Sequence, residues 1–312
     1  MAKKRKNARE RRLEQKIQQG YISSEALLKK EEKRSKDAKE VAAAETSAAE
    51  PQEPLPARGA DVSPLTIRRR ESVPLQHIDY ASLVRIRVAA LSPLVLGSGG
   101  GDVNVDSDIV RDETGLPYFP AKRLKGLLYE SGLEVAEMAE LSGLSLFTRA
   151  ELDALFQHGC LGETQLIFSN LELPGAAAMA ADWRYLEERY PSIFQAQDVF
   201  ETYASLRYQT KIDSETGTAA DTSLRNLRVL DTPVRKGGEL QPLTFAGELE
   251  VRPGSERAFT ILALAARNLS QAGLKRTRGF GRIACTLEQG GGDILLPLVE
   301  KALEDAEKGA LA

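Results

Sequence analysis

The stretch Leu94–Gly126, LVLGSGGGDVNVDSDIVRDETGLPYFPAKRLKG, places three unusual features side by side. A glycine loop at 97–101 comes first, four aspartates follow, and a cluster of cations ends the stretch. The aspartates are Asp102, Asp106, Asp108 and Asp112, and the cations are Lys122, Arg123 and Lys125. Flexible backbone, carboxylates and cations in one window are typical of a surface that binds a polyanion and cuts it. The spacing does not single out one aspartate, and solvated loop acids remain an alternative.

Each feature has a physical use toward phosphates. Glycine lets backbone N–H groups approach a phosphate closely, although Gly97, Ser98 and Gly99 are not followed by the GK[ST] of a nucleotide-binding P-loop. A carboxylate can hold Mg²⁺, which stabilises charge on a phosphoryl group in transit. The cations follow Pro120 in the predicted first turn of a helix, where free N–H groups already favour anions.

A second basic cluster, KRTRGFGR, spans residues 275–282. It contains two glycines, an aromatic residue and no acid, so it predicts a site for a phosphate backbone, with a solvated basic turn as the alternative. His77 and His158 are too few for a metal cluster, and His158-Gly159-Cys160 lacks the second ligand pair of a zinc site.

Composition sets the broad class. The 312 residues are 42% hydrophobic and 28% charged, as in a soluble globular protein, and two cysteines indicate a reducing cytoplasm rather than a disulfide framework. No apolar run approaches the roughly 18 residues of a membrane span. Residues 1–40 hold 14 Lys/Arg and 7 Asp/Glu, a net charge of +7, so the overall −3 leaves −10 on the remaining chain. Nucleic acid would therefore have to be bound by local basic clusters.

The domain organisation follows from composition. Residues 1–76 predict a basic, largely disordered extension with a Pro-rich linker, or alternatively an arm that contacts RNA or a partner. Residues 77–290 form the main domain, and 291–312 predict an amphipathic helical tail. The polar, Thr-rich segment at about 205–240 predicts a long insertion or hairpin arm that adds little to the core.

The long predicted elements alternate in a recognisable order. They are strand 84–91, a helix from 121 to about 141 broken near Gly132, strand 164–173, strand 242–251, helix 256–271 and strand 280–287. Thr148 is a predicted N-cap of a further short helix. This β-α-β-β-α-β order predicts an α+β, ferredoxin-like (RNA-recognition-motif-like) core with a long arm, or thumb, insertion.

Several segments together resemble the RAMP superfamily of CRISPR systems. VDSDIVRDETGLPYFPAKRLKG looks like the family segment in which an Asp precedes a short strand, a turn and a P-x-S-x-L-K-G helix start. LFQHGCLGETQLIFSNLEL, TKIDSETGTAADTSLRN and RTRGFGRI are similar to the later family segments, in the right order. Pro120-Ala121-Lys122-Arg123 departs from the usual Pro-Gly-Ser-Ser, and the extension is not part of the family core.

The resemblance implies a backbone subunit of a type III effector complex. Such a subunit binds CRISPR RNA and cleaves complementary target RNA as a metal-dependent endoribonuclease, with Mg²⁺ or another divalent cation. Asp106 matches the catalytic and metal-binding aspartate. Expected RNA contacts are Gly97, Ser98, Gly99, Lys122, Arg123, Lys125, Arg225, Arg228, Arg278, Gly279, Phe280, Gly281 and Arg282. Expected partners are the guide and target RNAs, other RAMP subunits in a filament of copies or paralogues, and the large polymerase-like subunit, without a membrane.

Two alternatives stay open. One is a non-catalytic RAMP backbone or cap subunit that binds guide RNA and only organises the complex. The other is a protein-interaction scaffold whose basic extension, rather than its fold, contacts nucleic acid.

Overall fold

The computed structural model describes residues 70–101, 105–159, 165–214, 217–220, 223–236, 239–252 and 254–310. The chain divides into two units, Met1–Val62 and Ser63–Ala312, of which the first lies outside the described residues. The described ranges also leave out Asp102, Cys160 and most of the predicted extension. Among the described residues, no helix is both long enough and apolar enough to cross a bilayer.

The described residues form a mixed α+β structure with an antiparallel sheet. In chain order its elements are β1 (Val84–Ala90), α1 (Ala121–Leu141), α2 (Arg149–Phe156), β2 (Leu166–Phe168), α3 (Ala176–Arg189), α4 (Ala196–Glu201), β3 (Ala204–Gln209), β4 (Arg225–Leu230), β5 (Val234–Lys236), β6 (Glu239–Gln241), β7 (Leu243–Val251), α5 (Glu256–Asn268), β8 (Ile283–Gln289), β9 (Gly292–Asp293) and α6 (Leu295–Ala310).

The main sheet has five strands in the order β2-β7-β1-β8-β9. β1 lies between β7 and β8, with Val88 opposite both Phe245 and Cys285. Val84, Ile86 and Val88 are fully buried, which confirms the predicted half-buried strand. Because side chains alternate along β1, one face of the sheet packs on the helices, and Arg85 and Arg87 lie on the opposite face.

The core lies between this sheet and a layer of helices. α1 packs on α5, and α5 packs on α6. The Ser255 hydroxyl caps α5 by accepting a hydrogen bond from Ala258 N at 3.2 Å. α1 is continuous, so the predicted break at Gly132 was wrong: an added Cβ there would lie 2.7 Å from Leu152 Cδ1, and glycine instead allows α2 to approach closely.

Both ends of the described chain are part of this body. Val73 N donates to Asp293 O at 2.9 Å, and Arg70 forms an ion pair with Glu288 at 3.3 Å. Residues 70–76, which the sequence assigned to the extension, thus extend the edge of the sheet. The predicted C-terminal tail is also packed, because Leu295 and Leu298 of α6 are buried.

The predicted arm contains a hairpin of β3 and β4. Leu227, Val229 and Leu230 of β4 are buried, so the expectation that this segment adds little to the core was wrong for β4. Leu227 and Val229 pack with Val95 and the half-buried Phe280 in a small second cluster. This cluster fixes the base of the arm to the glycine stretch (residues 94–101) and to the basic loop (residues 274–282).

Candidate functional site

Four segments from three distant parts of the sequence meet at the base of the arm. The glycine stretch pairs with β4 through Leu94 and Leu230, which exchange hydrogen bonds of 3.0 and 2.9 Å. The aspartate segment (residues 105–112) joins the same edge of β4, opposite β3, where Arg228 N donates to Ser107 O at 3.0 Å. The basic loop at 274–282 closes the group, because Leu274 N donates to Val95 O at 2.9 Å.

The glycine stretch and the aspartate segment form a ladder with each other. Ser98 N donates to Asp108 O at 2.8 Å, and Asp108 N donates to Gly100 O at 3.1 Å. Gly97 is buried, and an added Cβ would lie 3.0 Å from Leu274 Cδ1. Of the three predicted contacts in this stretch, Ser98 and Gly99 lie on the surface, whereas Gly97 holds the segments together.

Asp106 is an exposed carboxylate that is held in place at two points by Asn226. The Asp106 N–H donates to Asn226 Oδ1 at 3.0 Å, and the Asn226 N–H donates to Asp106 Oδ2 at 2.9 Å. Sequence reasoning did not assign a role to Asn226. The available signal was an amide side chain next to Leu227 in the one alternating stretch of the arm.

Two of the other aspartates serve the fold. Asp108 lies 3.7 Å from Arg228 Nε and 3.6 Å from Arg111 Nη2. Asp112 Oδ1 accepts hydrogen bonds from the N–H and hydroxyl of Thr114 and from Leu116 N, at 2.7 to 2.9 Å, and so closes a turn. Among the described aspartates of the stretch, Asp106 and Asp112 are both exposed, and of these two the Asp106 carboxylate is the one that bonds to the arm.

Arg228 occupies a different environment from the one that the sequence indicated. Arg228 is only 8% exposed, and its guanidinium lies 5.0 Å from the centre of the Phe200 ring. The Arg111 guanidinium lies over the same ring at 4.4 Å and donates to Gln197 Oε1 at 2.9 Å. This position favours a structural role for Arg228, which joins β4, α4 and the aspartate segment.

The cations at the start of α1 lie next to the glycine stretch. Arg123 Nη2 donates to Gly97 O at 2.7 Å, so this side chain orients the stretch. Lys122 is exposed, whereas Lys125 is half-buried and burial lowers its pKa below the ordinary lysine value. Pro120 has no side chain that could cap this helix start, but Asn170 Oδ1 accepts a hydrogen bond from the Ala121 N–H at 2.9 Å.

The basic loop adds a second group of cations. Arg225 lies opposite Gln209 on the hairpin, the residue that Lys275 contacts, and burial first, and then the charges of Arg278 and Arg225, lower the pKa of Lys275. Lys275 Nζ also donates to Gln209 Oε1. Lys275, which begins the predicted basic cluster but was not among the expected RNA contacts, thus links the loop to the arm.

The glycines of the basic loop have distinct roles. Gly281 has φ +77°, and a Cβ there would lie 2.0 Å from Ala272 O, so only glycine fits. Gly279, at φ +82°, is exposed. Arg278 and Arg282 are exposed, while Phe280 is half-buried in the second cluster.

The segments that form this site all lie within a known protein family's sequence model. A family model described as the RAMP superfamily matches residues 87–284, which is more than half of the chain and includes all four segments of the site. The chain belongs to the RAMP superfamily. The family prediction made from the sequence motifs is therefore confirmed.

Comparisons with individual proteins give weaker similarity than the family model. Comparison with curated proteins finds no match. Among solved structures, a chain of the cryo-EM structure of Type III-B Cmr-beta bound to cognate target RNA is 13% identical, with a TM-score of 0.48, covering 70% of this chain and 99% of that one. A chain of the apo-state Type III-B Cmr-beta structure is also 13% identical, with a TM-score of 0.47, covering 68% and 99%.

The described part of the RAMP chain offers few ligands for a divalent cation. No group of three or more His, Cys, Asp or Glu side chains comes together there in a metal-binding arrangement. Asp106 offers one carboxylate, since Asp108 and Asp112 are held by other partners. Mg²⁺ is commonly bound by one or two carboxylates together with substrate phosphates, so the described residues fit a cation that would enter with RNA.

Proposed function

We propose that this chain is an RNA-binding backbone subunit of a type III CRISPR effector complex that cleaves complementary target RNA through Asp106. The observation that carries the proposal is the exposed Asp106 carboxylate, clamped by Asn226 at the junction of the arm, the glycine stretch and the aspartate segment. Membership of the RAMP superfamily supports it, because the family model spans all of these segments.

We interpret the core as ferredoxin-like. β1, α1, β2, β7, α5 and β8 follow one another in the β-α-β-β-α-β order of that fold. In the sheet, the third of these strands lies beside the first, and the second and fourth lie outside them. The arm hairpin then lies in the connection between the second and third strands of the core.

Guide RNA is held through its backbone in this proposal. Lys275, Arg278 and Arg225 form one cationic group, and Lys122 lies exposed at the start of α1 near the glycine stretch. Cations that neutralise phosphates bind RNA without reading its sequence, and base pairing between guide and target supplies the specificity. Partners would be the two RNAs, further RAMP copies or paralogues, and the large polymerase-like subunit.

Cleavage uses the 2′-hydroxyl that distinguishes RNA from DNA. The 2′-oxygen attacks the adjacent phosphorus, its proton passes to the Asp106 carboxylate, and the bond from phosphorus to the 5′-oxygen breaks. The 5′-oxygen takes a proton from water, the resulting hydroxide takes the proton from the Asp106 carboxyl, and the products are a 2′,3′-cyclic phosphate and a 5′-hydroxyl. A divalent cation bound with the RNA would supply neutralisation of phosphate charge. Asn226 keeps the carboxylate in one place, and the arm must hold the RNA in line for attack.

One observation favours the non-catalytic alternative, a RAMP backbone or cap subunit that binds guide RNA and only organises the complex. The described residues bring one carboxylate to the junction, without a second acid or base for the leaving 5′-oxygen among the groups that contact it. In that case Asp106 and Asn226 would form a structural clamp between the aspartate segment and β4.

Replacing Asp106 by Ala and by Asn separates the two functions. We expect both variants, assembled with guide RNA and the partner subunits, to bind target RNA as the wild type does and to lose cleavage. Asp305→Asn, an exposed acid on α6, is the matched control and should cut normally. Denaturing gels of end-labelled target RNA measure the cleavage, and equal cutting by the wild type and Asp106→Ala would refute the catalytic assignment of Asp106.

A further inference from the structure

α3 is a helix with little burial. Of its 14 residues only Ala176 is buried, and Met179, Ala180 and Trp183 pack at the margin of the core. Its first six residues, AAAMAA, are all apolar, so the side chains that point to solvent are as apolar as those that point inward. A helix that is apolar on every side is normally covered on every side. The outward face of α3 is therefore a candidate docking surface.

Larger apolar side chains follow on the same segment. Tyr185 and Ile193 are each 65% exposed, and Tyr190 is 46% exposed. The Tyr190 ring lies 6.3 Å from the ring of Phe194, which lies 6.1 Å from that of Trp183, so the patch rests on a half-buried aromatic layer. Single exposed apolar residues are ordinary, whereas tyrosines grouped on a fixed base are typical of protein interfaces.

The charges around this patch are mainly negative. Residues 172–201 contain six acids and two arginines, a net charge of −4. On α3, Asp182, Glu187 and Glu188 are exposed, and none of them forms an ion pair with another described residue. Such a surface repels the phosphates of RNA and attracts a basic protein.

A cavity beside α3 offers a place for a charged side chain. It has a volume of about 430 Å³ and lies between α3 and the turn at 112–118. Tyr118, Glu113 and Glu172 line it, and neither glutamate forms an ion pair with another described residue. A cation is stabilised by contact with an aromatic ring and by hydrogen bonds to carboxylates. The cavity therefore suits the side chain of an arginine or a lysine.

The arginines of the cavity do not cancel this preference. Arg111 lines the cavity but is paired with Asp108 at 3.6 Å and lies over the Phe200 ring. Arg184 is exposed on the α3 side. Because Asp112 adds a third carboxylate to the lining, the acids outnumber this arginine. A further cation is favoured there over an anion.

A second copy of the chain is a poor match for this surface. α1 and α6 have net charges of −1 and −2, so neither helix is complementary to an acidic face. The cations of the basic loop and Arg225 are assigned to RNA in the proposed function, and the inference rests on that function for this step alone. The occupant is therefore a different protein.

We propose that α3 and the adjacent cavity dock a basic helix of another protein. An arginine or lysine of that helix enters the cavity beside Tyr118, where Glu113 and Glu172 neutralise it. The apolar side chains of the same helix pack on Tyr185 and on the alanines of α3, whose small size lets two helices approach closely. This surface is separate from the residues proposed to bind and cut RNA.

Two synthetic peptides test the docking with the full chain and without RNA. One is a helix of about 20 residues built from arginine, leucine and alanine, and the other has glutamate in place of arginine. We expect fluorescence anisotropy to show binding of the basic peptide, weaker at higher salt, and no binding of the acidic peptide. Binding should also change the emission of Trp183, the single tryptophan, which lies beside the aromatic patch.

Charge variants locate the binding site. Glu113→Gln combined with Glu172→Gln should weaken binding of the basic peptide on the order of ten-fold, as expected for the loss of two partly exposed charge pairs. Glu300→Gln combined with Glu307→Gln removes two exposed acids from α6 and is the control of equal charge. This control should bind the peptide as the wild type does.

A ring variant tests the apolar part of the surface. Tyr185→Ala should weaken binding of the basic peptide on the order of ten-fold, as for an aromatic residue central to an interface. Tyr208→Ala, equally exposed at 65% but on the arm, is the control and should have no effect.

Several outcomes would overturn the docking. These are no binding of the basic peptide, equal binding of the acidic peptide, and equal weakening by the two double variants. Dimers of the wild type in sedimentation that Tyr185→Ala dissociates would assign the surface to a second copy instead. If the peptides behaved as expected but the chain bound no RNA, the proposed function alone would fail.

Discussion

Arg225 and Arg228 lie three residues apart on β4 and should give opposite phenotypes when replaced. Their separation puts the side chains on opposite faces of the strand. Arg225 is exposed and close to Lys275, whereas Arg228 is 8% exposed between Asp108 and Phe200. Both were predicted to contact RNA. We expect Arg225 to contribute to RNA affinity and Arg228 to contribute to stability.

The magnitude for Arg228 follows from its contacts. Breaking a buried ion pair by removing one partner costs about 3–5 kcal/mol. At this site Asp108 keeps Arg111 at 3.6 Å, so we expect Arg228→Met to lower the free energy of unfolding by about 2 kcal/mol. Arg228→Ala also loses the contact with the Phe200 ring, which adds about 1 kcal/mol. Arg225→Ala removes an exposed side chain and should change stability by less than about 0.5 kcal/mol.

Two measurements on the same variants check this expectation. Urea unfolding followed by the fluorescence of Trp183, the single tryptophan, gives stability, and RNA affinity at several salt concentrations gives the number of phosphate contacts. Arg225→Ala should lower the salt slope by about 0.7, the value for one phosphate contact on a single strand, and Arg228→Met should leave the slope unchanged. A reduced slope for Arg228→Met, with an unchanged unfolding midpoint, would refute the buried pair and restore Arg228 to the RNA-binding surface.

Two further predictions concern the fold. The Arg257 guanidinium, which donates a hydrogen bond to Glu151, is the main cause that lowers the pKa of Glu151 to about 2. The ionised carboxylate links α2 to α5. Its contribution to stability is complete above the unfolded pKa of about 4.5 and is lost as the pH falls toward 2. Because both side chains are partly exposed, Glu151→Gln should cost only about 1 kcal/mol at pH 7 and nothing near pH 2, and thermal melts across this range would contradict the link if the difference were constant. Replacing residues 210–223 with a Gly/Ser linker should leave the chain folded, whereas extending the replacement through β4 should unfold the site because it removes the buried Leu227 and Val229. Equal stability of the two variants in circular dichroism melts would contradict this expectation.

Much of the architecture follows from local sequence signals. Alternation in β1, the serine cap of α5 and the apolar side of α6 act within a few residues, so the pattern alone indicates them. The capping box at Thr148, in which Glu151 bonds back to the Thr148 N–H at 2.8 Å, is equally local. The order of the long elements and the family motifs depend only on the chain, and they were sufficient to identify the RAMP superfamily.

The roles of similar residues were decided by the tertiary structure. Asp106, Asp108 and Asp112 look alike in the sequence, but the partners that distinguish them include Asn226 and Arg228, more than a hundred residues away. A charged side chain can be read as exposed from its type, yet burial depends on what packs over it, and Arg228 lies under Phe200 and beside Asp108. For the same reason, a sequence pattern shows that the arm is polar, but only the packing of β4 against Val95 shows which part of it belongs to the core.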